Sequence, residues 1–226
     1  REFRDVRRRS PAMATFQMEA DGVTPVENRA YKEEAYWDAR FAVEEGYEWL
    51  ADYEAVRGQL LDALSSSDEE TPKVLVVGNG NSTLAQKLVE EGRFEVTASD
   101  YSSVVVEKMR RRHPGWVRAD MTALRETFAA ASFDFIVDKA AMDALVTDEG
   151  DPWNPNADTK RAVAALCREA RAVLKPSGKL VQISFQQPHF RKRLVTDDLL
   201  LADLKSIPTG LGYFLYVWTT PAASTT

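Results

Sequence analysis

From residue 73 to residue 185, short apolar runs typical of buried β-strands alternate with patterns typical of amphipathic helices. Thr83 and Gln86 have the spacing of a capping box at the start of the first of these helices, and Gly92 is placed to end it. The predicted strands cover residues 73–77, 94–99, 116–119, 133–138 and 179–185, and the predicted helices cover residues 83–91, 102–112 and 158–174. Such alternation predicts an α/β fold, a doubly wound parallel sheet with helices on both faces.

The pattern beyond the last of these strands is mixed. Residues 199–208 fit a helix by local propensity, whereas residues 212–220 have the aromatic and β-branched content of a strand. Because Pro208 and Gly212 lie at the junction, we expect the two segments to form an antiparallel hairpin that closes the sheet. Upstream, residues 31–64 are rich in aromatic side chains and are predicted to form one or two helices.

Glycine or aspartate follows four of the predicted strands: Gly78, Asp100, Asp120 and Asp138. Right-handed crossovers bring the carboxyl ends of parallel strands to one edge of the sheet, which is where ligands bind in such folds. The sequence therefore predicts a binding site at this edge, with these four positions in it.

The glycine loop at residues 78–82 is the first part of that site. Gly78 and Gly80 have no Cβ, so the backbone can turn sharply there and a ligand can approach it closely. The helix that follows points its free N–H groups at the same place. A Gly-x-Gly sequence alone fits an ordinary tight turn equally well.

Asp100 makes a nucleoside-bearing cofactor the better interpretation. It lies 22 residues after Gly78, close to the spacing at which an acid accepts hydrogen bonds from ribose hydroxyls. Thr83 occupies the position where nicotinamide sites generally have glycine or alanine, and the sequence contains no P-loop. A cofactor without phosphate, such as S-adenosylmethionine, fits better, and a nicotinamide oxidoreductase remains as the alternative.

Several longer motifs carry a family resemblance. They are YWDARF (36–41), YEWL (47–50), VLVVGNGNS (74–82), SDYSSVVVEKM (99–109), SFDFIVDKAAMDAL (132–145), DPW (151–153), VLKPSGKL (173–180) and PHFRKR (188–193). From about residue 31 to residue 218 the chain resembles the class I, seven-strand S-adenosylmethionine-dependent methyltransferases, in the branch that includes elongation factor 1-alpha lysine methyltransferases. It departs from that branch at Asn79, where Cys or Ala is frequent, and at Ala140 and Ala141, where Gly-Thr is usual.

The resemblance implies a Rossmann-like, doubly wound sheet of seven strands, mostly parallel, with a C-terminal antiparallel hairpin. It also implies which side chains contact S-adenosylmethionine. These are Gly78 and Gly80 under the methionine part, Asp100 on the ribose, Tyr101 on the adenine, Asp120 and the Met121 backbone at the adenine amino group, and Lys139 near the methionine part or the acceptor channel.

The aromatic residues upstream are expected to cover this site as a lid. Trp37 and Phe41 are spaced i, i+4 and so share a helical face, and Trp49 follows after a turn. Arg40 is predicted to pair with the cofactor carboxylate, a match that a guanidinium makes well. The alternative is that these aromatics are the core face of an amphipathic helix.

The acceptor side is less well defined. Only a neutral amine attacks the methyl group, so a lysine acceptor must lose its proton. Asp138 and Asp143 flank the predicted channel mouth, and Asp138 is our candidate for the catalytic acceptor-side acid. Its alternative roles are pairing with Lys139 and capping the helix that follows.

Composition excludes some classes of function. A net charge of −6 gives no overall attraction for nucleic acid, which favours a protein or small-molecule substrate. Cys167 is the one cysteine and falls inside a predicted helix, so we expect a buried thiol in a reducing, cytoplasmic compartment. His113 and His189 are too far apart to suggest a metal site, and no 18-residue apolar run predicts a membrane span.

Residues 1–30 differ from the rest and are predicted to be a flexible extension of a single domain at residues 31–226. The opening REFRDVRRRS is basic and lacks the apolar core of a secretory signal. Glu2 and Asp5 interrupt the basic run and so weaken a mitochondrial presequence, and Met13 fits a natural start.

The expected function is a monomeric S-adenosylmethionine-dependent methyltransferase acting on a protein lysine, with elongation factor 1-alpha as the implied substrate. One alternative is a methyltransferase for small thiols or amines of the thiopurine methyltransferase type, which the Trp-x-x-x-aromatic lid also resembles. Another is a non-catalytic module that binds the cofactor.

Overall fold

The computed structural model describes residues 16–19, 22–65, 71–209 and 212–221. The strands are β1 (Phe16–Glu19), β2 (Gly22–Pro25), β3 (Lys73–Val77), β4 (Glu95–Asp100), β5 (Trp116–Arg118), β6 (Phe133–Lys139), β7 (Leu174–Ser184), β8 (Leu200–Ile207) and β9 (Tyr213–Thr219). The α-helices are α1 (Glu34–Val43), α2 (Tyr53–Ala63), α3 (Leu84–Glu90), α4 (Ser103–Arg110), α5 (Ala141–Val146), α6 (Ala157–Val173) and α7 (Pro188–Leu194). Short 3-10 helices form at Asn28–Lys32 and Leu124–Glu126.

Seven strands form one sheet in the order β5-β4-β3-β6-β7-β9-β8. The pairs from β5 to β7 are parallel, and β9 runs antiparallel to both β7 and β8. This confirms the predicted fold class, including the closing hairpin. Local helix propensity in β8 is overridden because the strand hydrogen-bonds along β9 from Leu200 to Ile207.

The sheet has a hydrophobic core on each face. Val74 and Val76 of β3 face α2, α3 and α4, whereas Leu75 and Val77 face α5 and α6. A central parallel strand buried on both faces needs apolar side chains at every position, which explains the uninterrupted run in β3. Because β3 pairs in parallel with both β4 and β6, the carboxyl ends of these three central strands lie at one edge of the sheet.

Helix α3 begins differently from the prediction. The Thr83 side chain does not cap the helix: its hydroxyl and its backbone N–H both contact the carboxylate of Glu48, each at 2.7 Å. Gln86 donates to Glu90 and does not reach back. The predicted capping box is therefore wrong, because the carboxylate of Glu48, distant in sequence, binds Thr83 and the Gln86 amide turns to Glu90 instead. Gly92 has φ +70° where the helix ends, as expected.

The segment before α1 is more ordered than predicted. Strands β1 and β2 form an antiparallel hairpin, and Val23 and Ala30 are buried with Tyr36 of α1. Among the described residues, packed structure therefore extends upstream of the boundary predicted at residue 30, as far as Phe16. The basic stretch at the start of the chain and Met13 lie outside the described residues.

Two smaller expectations concern the interior and the membrane. Cys167 is fully buried in α6, and burial raises the pKa of its thiol, as expected for a structural cysteine. Among the described residues, no helix combines the length and the apolar content needed to cross a bilayer.

Candidate functional site

The glycine loop (residues 78–82) follows β3 at the shared edge of the sheet. Gly78 and Gly80 have φ of +54° and +53°, the left-handed region that favours glycine. A Cβ on Gly78 would lie 2.4 Å from the Cβ of Ala141, and one on Gly80 would lie 3.1 Å from the ring of Phe41. The loop is therefore held between the start of α5 and the end of α1.

Asp100 ends β4 beside this loop and is 4% exposed. Its Oδ2 accepts the backbone N–H of Gly80, and its Oδ1 accepts that of Ser102, both at 2.9 Å. Each carboxylate oxygen has two lone pairs, so each keeps one further acceptor position. Burial raises the pKa of Asp100 to about 6. The geometry suits a pair of neighbouring hydroxyls.

Three further predicted residues follow β4 and β5 at the same edge. Tyr101 is half-buried, and burial raises the pKa of its phenol. Asp120 is exposed, and its Oδ1 accepts the backbone N–H and the hydroxyl of Thr122, each at 2.8 Å. Met121 packs against the core on the α6 face.

The aromatic residues of α1 and of the segment after it form one cluster. The rings of Trp37 and Phe41 stack at 5.4 Å, and Trp49 meets Trp37 edge-on at 6.1 Å. The indole N–H of Trp37 donates to the carbonyl of Tyr31 at 2.8 Å. Phe41 belongs to the buried core, whereas Trp37 and Trp49 are partly exposed. One helical face thus serves both the core and the edge.

Arg40 lies inside this cluster with most of its guanidinium engaged. Nε and Nη2 donate to Glu44 at 3.0 and 2.7 Å, and Nη1 donates to the hydroxyl of Tyr36 at 3.1 Å. The guanidinium also lies over the rings of Tyr47 and Trp49 at 5.1 and 5.0 Å. A guanidinium has five N–H groups, so two remain for another acceptor.

The lid segment (residues 44–52) joins α1 to α2 and is bound to the sheet by Lys139. The ammonium of Lys139 donates to the carboxylate of Glu48 at 2.7 Å and to the carbonyls of Trp49 and Ala51, both at 3.0 Å. Lys139 is 8% exposed, and burial lowers the pKa of its ammonium. Lys139 thus lies at the predicted edge of the sheet, where its ammonium binds the protein's own lid segment.

Glu48 is the residue that the sequence analysis missed. Burial alone would raise its pKa, but hydrogen bonds from Lys139 and Thr83 lower it below the ordinary value. The available signal was its place in the YEWL motif, between two aromatic residues.

Asp138 is the second-last residue of β6 and is 2% exposed. Its Oδ1 accepts the backbone N–H groups of Ala141 and Met142 at 2.8 and 3.2 Å, and its Oδ2 accepts the side-chain amide of Gln182 at 2.8 Å. It therefore caps α5, one of its alternative roles, and does not pair with Lys139. Burial raises its pKa to about 6.

Asp143 is also inside the protein, where it binds Arg191 and the hydroxyl of Ser184. Asp138 and Asp143, which we expect to flank the channel mouth, are thus both buried, and both are hydrogen-bonded to groups of the protein itself. Within the described ranges, no group of three or more His, Cys, Asp or Glu side chains is arranged to hold a metal ion.

Comparison with known proteins identifies the family. A family model described as a methyltransferase domain matches residues 74–178. EEF1A lysine methyltransferase 4 of Bos taurus is 37% identical over 177 residues, which cover 75% of this chain and 67% of that protein. The chain belongs to the class I S-adenosylmethionine-dependent methyltransferases. The Mus musculus protein of the same name is 35% identical over the same shares of both chains.

A solved methyltransferase has the same fold. The N-methyltransferase NodS from Bradyrhizobium japonicum, solved with S-adenosyl-L-homocysteine, aligns with a TM-score of 0.56 at 17% identity. The alignment covers 83% of this chain and 98% of NodS.

The side chains at the edge fit S-adenosylmethionine, the cofactor of this family. Asp100 keeps one acceptor position on each oxygen, as a ribose diol requires. The backbone of the glycine loop lies next to it without Cβ atoms, and the aromatic cluster stands on the other side of the loop. Asn79, a departure from the family pattern, is buried and braces the loop by donating to the carbonyl of Ser82 at 2.9 Å.

Proposed function

We propose that this methyltransferase modifies a lysine side chain of a protein and that the protein is elongation factor 1-alpha. The observation that carries the proposal is the identity of 35–37% over three quarters of the chain with relatives named for this activity. The similarity to these relatives covers 75% of the chain, which is more than the residues 74–178 that match the methyltransferase family model. A substrate of this kind places the enzyme in the cytoplasm.

S-adenosylmethionine supplies the activated methyl group when it is bound. In our proposal Asp100 accepts hydrogen bonds from the ribose hydroxyls, and the glycine loop lies under the methionine part. Tyr101 packs on the adenine, while Asp120 and the Met121 backbone meet its amino group. The positions of these residues around one edge support the assignment, since strands β3, β4 and β5 present them side by side.

The aromatic cluster then covers the cofactor and excludes water. Trp37 and Trp49 are partly exposed beside the glycine loop, and Phe41 fixes their position from within the core. The two unused N–H groups of Arg40 are available to the cofactor carboxylate. Methyl transfer is mainly a task of alignment and water exclusion, which this arrangement can perform.

A protein acceptor is supported by the exposed aromatics at the edge. Tyr47 is 46% exposed in the lid segment, and Phe185 is 51% exposed immediately after β7. Exposed apolar side chains beside a binding site are typical of surfaces that contact another protein. They would also desolvate an incoming lysine, which favours its neutral, reactive form. Asp138 supports the acceptor side by holding the start of α5, not by taking the proton.

The test is methylation with purified components. The full chain is incubated with isotope-labelled S-adenosylmethionine and recombinant elongation factor 1-alpha, and the products are digested and mapped by mass spectrometry. We expect label on a lysine, and no label when that lysine is replaced by arginine. Asp100→Asn serves as the matched inactive enzyme.

Two outcomes would overturn the proposal. Label on a small thiol or amine, with none on the protein, would indicate a small-molecule methyltransferase. Cofactor binding without transfer to elongation factor 1-alpha, to other proteins or to small acceptors would indicate a non-catalytic module.

A further inference from the structure

The lid segment (residues 44–52) is joined to the sheet by a single buried amine. Lys139 is the last residue of β6, and its three N–H donors are all directed to the lid segment: to Glu48, to the carbonyl of Trp49 and to that of Ala51. An ammonium has no further donors. As an end residue of a central strand, Lys139 has a position set by the rigid part of the fold.

Glu48 connects the same lid segment to the glycine loop. One of its oxygens accepts the backbone N–H and the hydroxyl of Thr83, and the other accepts the hydroxyl of Ser82 together with the ammonium of Lys139, all at 2.7 Å. One carboxylate thus binds the loop that follows β3 and the end of β6 together. Trp49, which belongs to the proposed cover of the cofactor, follows Glu48 in the chain, and its carbonyl accepts a hydrogen bond from Lys139.

We propose that Glu48 and Lys139 form a positioning pair that sets the lid segment against the glycine loop, and that the pair controls cofactor binding without touching the cofactor. All three donors of Lys139 and all four acceptor positions of Glu48 are used within the protein, so neither group keeps a hydrogen-bonding position for a ligand. Breaking the pair releases Trp49 from the edge and frees Ser82 and Thr83, so the cofactor loses both its cover and the fixed loop beneath it.

The competing interpretation is that Lys139 contacts the cofactor directly. The two interpretations differ in how substitutions combine. If Lys139 acts through Glu48, removing the amine from a protein that already lacks the carboxylate adds little. If each residue contacts the cofactor independently, the two losses multiply.

The experiment measures the affinity for S-adenosylhomocysteine by calorimetry in Lys139→Met, Lys139→Arg, Glu48→Gln and the double variant Glu48→Gln/Lys139→Met. Arg57→Met is the matched control, since Arg57 ties α2 to Glu91 at the opposite end of α3, with distances of 2.7 and 2.9 Å. Hydrogen exchange of the amides at residues 44–52 is followed without cofactor, as a readout independent of activity.

We expect Lys139→Met and Glu48→Gln each to weaken binding about tenfold or more, because a misplaced supporting contact loosens the whole site. The affinity of the double variant should be within about twofold of that of whichever single variant binds S-adenosylhomocysteine more weakly, since the pair acts as one unit. Lys139→Arg should bind more tightly than Lys139→Met, because it keeps the positive charge beside Glu48, but less tightly than the parent protein, because a planar guanidinium does not reproduce the ammonium contacts. Exchange at residues 44–52 should accelerate in Lys139→Met and not in Arg57→Met.

The proposal is overturned if Lys139→Met binds within about twofold of the parent protein, or if the losses multiply in the double variant. Should Lys139→Met fail to fold, Glu48→Gln and its exchange pattern carry the test, because Glu48 is partly exposed and the substitution is isosteric. The inference rests on the proposed cofactor position and not on the acceptor. An Asp100→Asn protein with unchanged affinity would refute that position separately.

Discussion

Asp100 and Asp138 lie at the carboxyl ends of β4 and β6, the two strands that flank β3. Their burial is similar, but their hydrogen-bond partners differ. Both are almost fully buried, and burial raises the pKa of each to about 6. Asp100 receives one backbone N–H on each oxygen, whereas Asp138 receives two on one oxygen and the amide of Gln182 on the other. A strand-end acid therefore marks the ligand edge, but its remaining acceptor positions decide whether it faces a ligand or serves the fold.

The two glycines of the glycine loop also differ in which of the two acids they lie beside. Gly80 donates its N–H to Asp100, on the side where we place the cofactor. Gly78 lies against Ala141, the residue whose N–H Asp138 accepts. Gly80 is thus linked to Asp100 and Gly78 to the residue that Asp138 binds. Substitutions at the glycines and at the acids can therefore test the same comparison.

The largest effect is expected from Asp100→Asn. An amide cannot accept two ribose hydroxyls and two backbone N–H groups at once, so affinity for S-adenosylhomocysteine should fall about a hundredfold. The free energy of unfolding should also fall, by about 1.5 kcal/mol, because the amide NH2 would face the backbone N–H of Gly80 or Ser102 and leave a buried donor unsatisfied. Calorimetry and urea denaturation measure the two quantities. Unchanged affinity would mean that Asp100, like Asp138, does not face the cofactor.

Gly78→Ala should destabilise the fold through a clash with the start of α5. The new Cβ meets Ala141 at 2.4 Å in addition to the strain of φ +54°. Gly92→Ala is the matched control, since Gly92 has φ +70° with nothing within 4 Å of a Cβ. We expect a cost of about 1 kcal/mol at Gly92 and about 2 kcal/mol more at Gly78, measured by urea denaturation. Equal costs would show that the contact with α5 does not constrain the loop.

Asp138→Asn should lower stability and spare affinity. The amide would direct its N–H groups at the side-chain amide of Gln182, which cannot turn without losing its contact with the indole of Trp218. A cost of about 1.5 kcal/mol is expected for this unsatisfied donor. Affinity for S-adenosylhomocysteine should stay within about threefold. A loss of affinity as large as that of Asp100→Asn would mean that Asp138 faces the ligand after all.

The sheet could be predicted from sequence because its signals are local. Buried parallel strands leave uninterrupted apolar runs, and each is followed by a helical pattern and a polar strand end. The hairpin at β1 and β2 was missed because its strands are only four residues long and carry no clear alternation. The hairpin packs against Tyr36 of α1, a contact between separate elements that no local pattern signals.

The parts of the site that were missed depend on contacts between distant residues. Glu48 and Lys139 are 91 positions apart, so no spacing rule links them. The same distant carboxylate takes Thr83 away from its predicted capping box. Ala140 shows the opposite case: its φ of +68° lies in the left-handed region that favours glycine, but alanine in the sequence gives no sign of it.

The smallest effects are those of pH, and affinity and stability should respond to pH with opposite signs. The ionised form of Asp100 accepts the ribose hydroxyls, so affinity should fall as pH drops through its pKa of about 6. Between pH 7.5 and 5.5 the ionised fraction changes about fourfold, and so should the affinity measured by calorimetry. Asp138→Asn should keep this dependence, because its carboxyl does not meet the cofactor.

Stability should move in the opposite direction. Both acids have a folded-state pKa raised above the ordinary value of 3.8, so the folded protein binds their protons more tightly than the unfolded chain does. Their stabilising contribution is present below that value and is lost as pH rises through about 6. Glu48, whose pKa is lowered, contributes with the opposite sign only below about its ordinary 4.5. The unfolding free energy from urea titrations at pH 5 to 7 should therefore fall less steeply in Asp138→Asn than in the parent protein, while affinity still rises. An unchanged slope would mean that the buried carboxyl of Asp138 titrates as it does in the unfolded chain.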